Sequence, residues 1–282
     1  MLKKLMKYEW KGYKKPALIL GGILLGITIL VAIIILGINP NYDQFAEGFT
    51  ATTAIFGFLL YYFGIIACTL GASLIILIRF YKTCYTDEAY LTHTLPVTTK
   101  QLVTAKTITA ILFYLLSLLF ILLTVVLLAG VSITHLINLG ELQISEFSVE
   151  MFAQINAEFE AEMGIDMIGY FGGIGIYCMI GCICGVMINL GCISLGQLYT
   201  KHRILGAIIA YFGVTTIMQI IAYVTAIPMY AKLITAEYSE TTLSLYSLMA
   251  PTYVVSLISS IIIAVIMYFV NIHMMTKRLN LE

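Results

Sequence analysis

Three cysteines stand close together at Cys178, Cys182 and Cys184, and thiolates at short spacing are potential metal ligands. Such a site takes four ligands and a polar surrounding, yet no His, Asp or Glu lies in the apolar run 167–195 that holds them. In such a run Cys is a small apolar residue, so no metal is expected. His93, His135, His202 and His273 are scattered over loops and one span end and form no cluster. The sequence contains no HExxH, no GxSxG and no paired carboxylates within apolar stretches, so no catalytic residue is assigned. It also lacks GxxxxGK[ST], the loop that cradles nucleotide phosphates. The chain is therefore not expected to be an enzyme or to hold a cofactor. Any ATP and Mg it depends on would be bound by another polypeptide.

Polar residues inside the apolar stretches are few and neutral. Tyr61, Tyr62, Thr69 and Ser73 fall in one, Asn189 in another, and Thr215, Thr216, Gln219 and Tyr223 in a third. A proton or ion carrier normally shows an intramembrane charge, and none is present here. A weakly polar, tyrosine-lined path through Tyr61, Tyr62, Thr69, Thr216, Gln219 and Tyr223 suits an amphipathic or hydrophobic cargo. The same residues also suit hydrogen bonds between helices.

These side chains need elements to carry them, and composition decides which. Apolar and aromatic residues make up 61 % of the 282 residues and charged residues 11 %, against about 25 % charged in a soluble fold. Mean hydropathy is +0.99. Six stretches are long enough to cross about 30 Å of hydrocarbon as helices: 16–38, 52–78, 107–128, 167–195, 204–227 and 248–272. None contains Lys, Arg, Asp or Glu. Runs such as Ile33-Ile34-Ile35 are mediocre helix formers in water. In lipid every backbone donor must be satisfied within its own segment, so the helix prevails. The expected fold is all-α, a polytopic integral membrane protein with six transmembrane helices.

The charges set an orientation. Fourteen of the fifteen Lys and Arg fall before the first span, between the second and third, between the fourth and fifth, or after the sixth; only Lys232 does not. By the positive-inside rule that side is cytoplasmic, with both termini on it. The location implied is the cell membrane. The length of 16–38 and its lack of a small-x-small site argue for a retained span rather than a cleaved signal peptide.

Between the spans, segment 1–15 alternates Lys with Leu2, Leu5, Met6, Tyr8, Trp10 and Tyr13. It reads as an amphipathic helix on the membrane surface, lysines toward an anionic leaflet and Trp10 at headgroup level. In the cytoplasmic segment 79–106, Thr86 can cap a short helix, about Asp87–Thr94, with Asp87 and Glu88 in its first turn. Leu95-Pro96 ends it, and Thr98 with Gln101 forms a capping box that starts the next span. A capped helix where a plain loop would do marks a contact surface. The outer segment 130–166 is acidic, and Phe152, Ile155, Phe159 and Met163 predict an amphipathic helix over about 149–163. Residues 228–247 are apolar enough to re-enter the membrane as short helices. Gly57, Gly64 and Gly71, and GxxxG pairs at 169/173 and 181/185, predict faces for close helix packing.

The opening Met1-Leu2-Lys3-Lys4-Leu5-Met6-Lys7-Tyr8-Glu9-Trp10-Lys11, together with Arg79-Phe80-Tyr81-Lys82, Thr86-Asp87-Glu88, Tyr90-Leu91-Thr92 and Thr94-Leu95-Pro96-Val97, resembles permease subunits of type-2 ABC exporters from Firmicutes. The resemblance implies that fold, with 1–15 as connecting helix and 228–247 as a re-entrant segment. It makes Asp87–Thr94 the coupling helix, with Thr86, Asp87, Glu88, Tyr90, Leu91, Leu95 and Pro96 meeting a separate ATPase subunit. The partners implied are two ATPases and a second permease, identical or homologous, forming a dimer in the bilayer, with no nucleic acid. The function implied is ATP-driven export of a peptide, antimicrobial peptide, lipid or drug. The long acidic outer segment departs from the family's compact pattern. A non-transporting membrane immunity or sensor subunit is the alternative reading.

Overall fold

The computed structural model describes residues 2–37, 44–86, 89, 97–138, 149–199, 202–239 and 244–277. The described residues form seven helices and no strand: α1 (Leu2–Leu36), α2 (Gln44–Tyr85), α3 (Thr99–Asn138), α4 (Val149–Met163), α5 (Met167–Gly196), α6 (Arg203–Ser239) and α7 (Leu245–Lys277). All but α4 are long and apolar enough to cross a membrane. Large apolar side chains are exposed along all six, Leu18, Phe56, Leu119, Ile168, Phe212 and Phe269 among them. Water would not tolerate apolar surface on that scale, but lipid covers it at no cost. This is the architecture of a multi-pass membrane protein.

Several helices outrun the apolar stretches that nucleate them. The 42 residues of α2 and the 40 of α3 correspond to about 60 Å each, roughly twice what the hydrocarbon requires. Beyond the expected ends at Ile78 and Thr107, good helix formers such as Arg79, Lys82, Lys100 and Gln101 continue the spiral. The segment between α2 and α3 is thus carried on helical arms.

Two expectations are corrected. Segment 1–15 is not a separate connecting helix: α1 runs unbroken through Pro16. Proline costs the helix a hydrogen bond and crowds the carbonyl four residues back. That carbonyl belongs to Gly12, just outside the apolar run, where polar surroundings can serve it. Residues 228–247 do not form short re-entrant helices either. Pro228 lies inside α6, which continues to Ser239, and α7 begins at Leu245.

The chain divides into two compact units: one of Met1–Leu2, Leu77–Ile111 and Val149–Glu282, the other of Lys3–Ile76 and Leu112–Ser148. In the second unit, α1 and α2 mesh in antiparallel register. A Cβ on Gly57 would meet Ile34, one on Gly64 would meet Ile27, and one on Gly71 would meet Leu20, at 3.4, 3.1 and 2.9 Å. Each seven-residue step up α2 is matched by seven down α1, so the predicted glycine stripe is a packing face. Leu24, Val31, Ile35, Tyr61, Cys68, Ile121 and Leu128 form the core beside it. Near the start of α1, Tyr13 stacks on Phe113 of α3 at 4.7 Å between ring centroids.

In the first unit, α5 and α7 pack around Cys184, Ile188, Cys192, Ala264 and Met267. Here the glycine expectation fails in its detail. Among the described residues nothing lies within 4 Å of a Cβ placed on Gly173, Gly181 or Gly185, and one on Gly169 would meet only the adjoining Ile165 and Asp166, so the GxxxG pairs join no two described helices. The close approach occurs instead at Gly191, where a Cβ would sit 2.7 Å from Met267 Cβ. Gly196 and Gly206 bring the α5–α6 connection equally close, Gly196 against Ala207 and Gly206 against Tyr199.

The helix α4 spans the predicted residues. Gly164, at φ 79°, turns the chain back toward α5, a left-handed conformation that favours glycine. Asp166 caps α5 by accepting from Gly169 N at 3.3 Å. Asn156 accepts from Met167 N at 2.9 Å, and Phe159 packs on Tyr170 and Phe171. Phe152 remains exposed.

Candidate functional site

The segment singled out by sequence lies between Thr86 and Thr98. Of the residues predicted to meet a partner, Thr86 is described, and its hydroxyl donates to Lys82 O at 2.6 Å. Its carbonyl accepts from Ala89 N at 2.7 Å. Asp87, Glu88, Tyr90, Leu91, Leu95 and Pro96 lie outside the described residues. At the far end the predicted N-cap is present: Thr98 Oγ1 accepts from Gln101 N at 3.4 Å, and its carbonyl accepts from Leu102 N at 3.0 Å.

The arms are fastened by buried polar contacts. Lys106 is only 4 % exposed, although its sequence position reads as a loop charge. Its ammonium donates to Thr83 Oγ1 at 2.7 Å, and Thr83 in turn donates to Arg79 O at 2.9 Å. Burying a charge is costly unless partners surround it, so this contact fixes the spacing of α2 and α3.

A second set of contacts fastens the arms to the last helices. Tyr85, the final residue of α2, donates its hydroxyl to Ser194 Oγ at 2.9 Å. Ser194, fully buried in the last turn of α5, donates to Asn271 Oδ1 of α7 at 2.7 Å. Three helices thus share one chain of hydrogen bonds. One helical turn away on α7, Tyr268 pairs with Thr104 of α3 at 2.8 Å. Phe80 and Tyr81 lie against Tyr85, with ring centroids 6.2 and 6.3 Å away, and Tyr85, Ser194 and Asn271 are all buried. In such surroundings hydrogen bonds strengthen one another, and a lost partner is expensive. The network holds no nucleophile paired with a base. It joins the α2 arm at Tyr85 to α5 and α7.

The residues of the predicted cargo path belong to both units. In the second unit Tyr61 is committed to packing, its hydroxyl 3.0 Å from Thr124 Oγ1 of α3. Thr69 donates within its own helix to Ile65 O and Ile66 O, and Tyr62 is exposed. In the first unit Thr216, Gln219 and Tyr223 are all exposed along α6 and share one side of it by helical spacing. Thr216 satisfies its hydroxyl on Phe212 O at 2.7 Å. α6 is the least buried of the six long helices, with 6 % of its most apolar window covered.

Sequence reasoning missed Tyr85, Ser194, Asn271 and Lys106. A signal existed for Asn271 and Ser194, since both fall inside predicted apolar spans where an unsatisfied polar group is costly. Tyr85 and Lys106 sit in segments where polar side chains are ordinary, and only the fold reveals their burial. No group of His, Cys, Asp or Glu able to hold a metal occurs among the described residues. Comparison of the chain with models of protein families, with curated proteins and with solved structures finds no match.

Proposed function

We propose that this chain is the membrane-spanning permease subunit of an ATP-driven exporter of the type-2 ABC class. It works with separate ATPase subunits, which bind ATP and Mg, and with a second permease, identical or homologous. It resides in the cell membrane with both termini in the cytoplasm, as the distribution of Lys and Arg favours. The cargo is amphipathic or hydrophobic, peptides foremost, and the exposed face of α6 bearing Thr216, Gln219 and Tyr223 is its candidate path.

One observation carries the reading. The segment whose sequence resembles a coupling helix begins directly after Tyr85, and Tyr85 is hydrogen-bonded through Ser194 to Asn271. A partner that pushes on residues 87–96 therefore pushes on α5 and α7 as well.

Co-purification tests the proposal. The chain is expressed with an ABC ATPase encoded in an adjacent reading frame, and the two are expected to purify together from detergent. Charge reversal at Asp87 and Glu88, or Tyr90→Pro, is expected to abolish the association while the chain remains folded. Survival of the complex through both changes would sink the coupling assignment. The absence of any such ATPase would favour a non-transporting immunity or sensor subunit.

A further inference from the structure

We propose that the first four turns of α1 form a binding face for anionic phospholipid headgroups. Lys3, Lys4, Lys7, Lys11, Lys14 and Lys15 are all exposed. At 100° per residue they fall within about 120° of the helix circumference, so they make a single basic stripe. Glu9, the one acidic residue of the segment, lies on the opposite side by the same spacing.

The structure turns this stripe outward. Tyr13, opposite the lysines, is 4 % exposed and stacks on Phe113. Leu5, Met6 and Trp10 are half-buried, so the exposed residues described in the segment are the six lysines and Tyr8. Because α1 continues unbroken into its apolar run, the lysines stand at a fixed height from the hydrocarbon. Lys14 and Lys15 adjoin it, and Lys11 and Lys7 lie about 6 and 12 Å farther along the axis. The headgroup layer is about 5–7 Å deep, and screening in physiological salt extends about 8 Å beyond it. Four of the six lysines therefore lie within reach of headgroup charge. The occupant that matches a one-signed stripe at this height is the anionic phosphate of a phosphatidylglycerol-like lipid. This inference is independent of the proposed transport function.

The test uses the full chain in nanodiscs of phosphatidylcholine, alone or mixed with phosphatidylglycerol. Amine acylation at each lysine is followed by mass spectrometry, with the exposed Lys100 and Lys232 as internal references. Lys7, Lys11 and Lys14 are expected to react about threefold more slowly with the anionic lipid, since a lysine near an anionic surface gains on the order of fivefold in binding. The protection is expected to vanish at about 1 M salt, where the screening length falls to about 3 Å. The only Trp, Trp10, borders the stripe. Its emission is expected to shift with phosphatidylglycerol in the wild type and in K7R/K11R/K14R, but not in K7Q/K11Q/K14Q. Equal slowing at Lys100 and Lys232 would overturn the proposal. A Trp10 response to poly-glutamate without any lipid preference would overturn it too, in favour of an acidic protein partner.

Discussion

The hydroxyl of Tyr85 lies 2.9 Å from Ser194 Oγ and joins the last residue of α2 to the last turn of α5. Because Ser194 passes the contact on to Asn271, the strength of the joint belongs to three residues together. Tyr85→Phe is expected to cost about 1 kcal/mol and Asn271→Ala about 1–3 kcal/mol, the latter leaving the buried Ser194 hydroxyl only the longer contact to Leu190 O at 3.3 Å. The double variant should be non-additive by about 0.5 kcal/mol or more. Thermal unfolding of the detergent-solubilised protein checks this, and strict additivity would separate the two residues.

The glycines of α5 are expected to divide by position, not by motif. Gly191→Ala forces a Cβ to 2.7 Å from Met267 Cβ and 3.0 Å from its carbonyl oxygen, and a large loss of thermal stability should follow. Gly185→Ala meets open space and gains helix propensity of about 1 kcal/mol. It should be neutral or stabilising in the isolated chain. Equal destabilisation by both would contradict the packing described for this helix.

At the α1–α2 contact, Gly64→Leu should destabilise because its side chain enters the space held by Ile27, whose Cδ1 would lie 3.1 Å from even a Cβ. Ile27→Ala in the same chain should restore much of the loss by returning volume to the contact. Failure of the second change to rescue the first, in the same unfolding assay, would mean that the two residues do not face each other.

Burial of Lys106 predicts its chemistry. In the folded protein it should resist amine acylation while exposed Lys100, one and two-thirds turns earlier in α3, reacts readily. Unfolding in denaturant should equalise the two. Peptide mapping after brief labelling reads both sites in one sample, and early modification of Lys106 would refute its placement.

The parts of the fold legible in sequence were those set by lipid. Six apolar stretches have no alternative to helix, the spacing of Phe152, Ile155, Phe159 and Met163 outlines α4, and Thr98 marks the start of α3. Gly57, Gly64 and Gly71 also announced a real contact, because a seven-residue repeat keeps to one side of a helix. The GxxxG pairs of α5 did not, since small residues permit close approach without requiring it. Helix ends were under-read wherever polar residues carried the spiral past the hydrocarbon, as at Arg79–Tyr85 and Thr99–Lys106. Pro16 and Pro228 read as boundaries and proved interior, because one missing hydrogen bond weighs less than the continuous helix on either side. The candidate site was half legible. The segment after Thr86 stood out, but the network at its root depends on Tyr85, Ser194 and Asn271 meeting across 186 positions of sequence.

The meshing of Gly57, Gly64 and Gly71 with Ile34, Ile27 and Leu20 bears on how α1 and α2 can move. A slip of one helical turn would set Ile27 against Leu60 or Cys68 in place of Gly64. The next equivalent seating lies seven residues away, about 10.5 Å along the axis. Between those seatings every intermediate position drives a branched side chain into another side chain. The two helices are therefore keyed like a shaft in its hub: they can tilt or turn together, but neither can glide along the other.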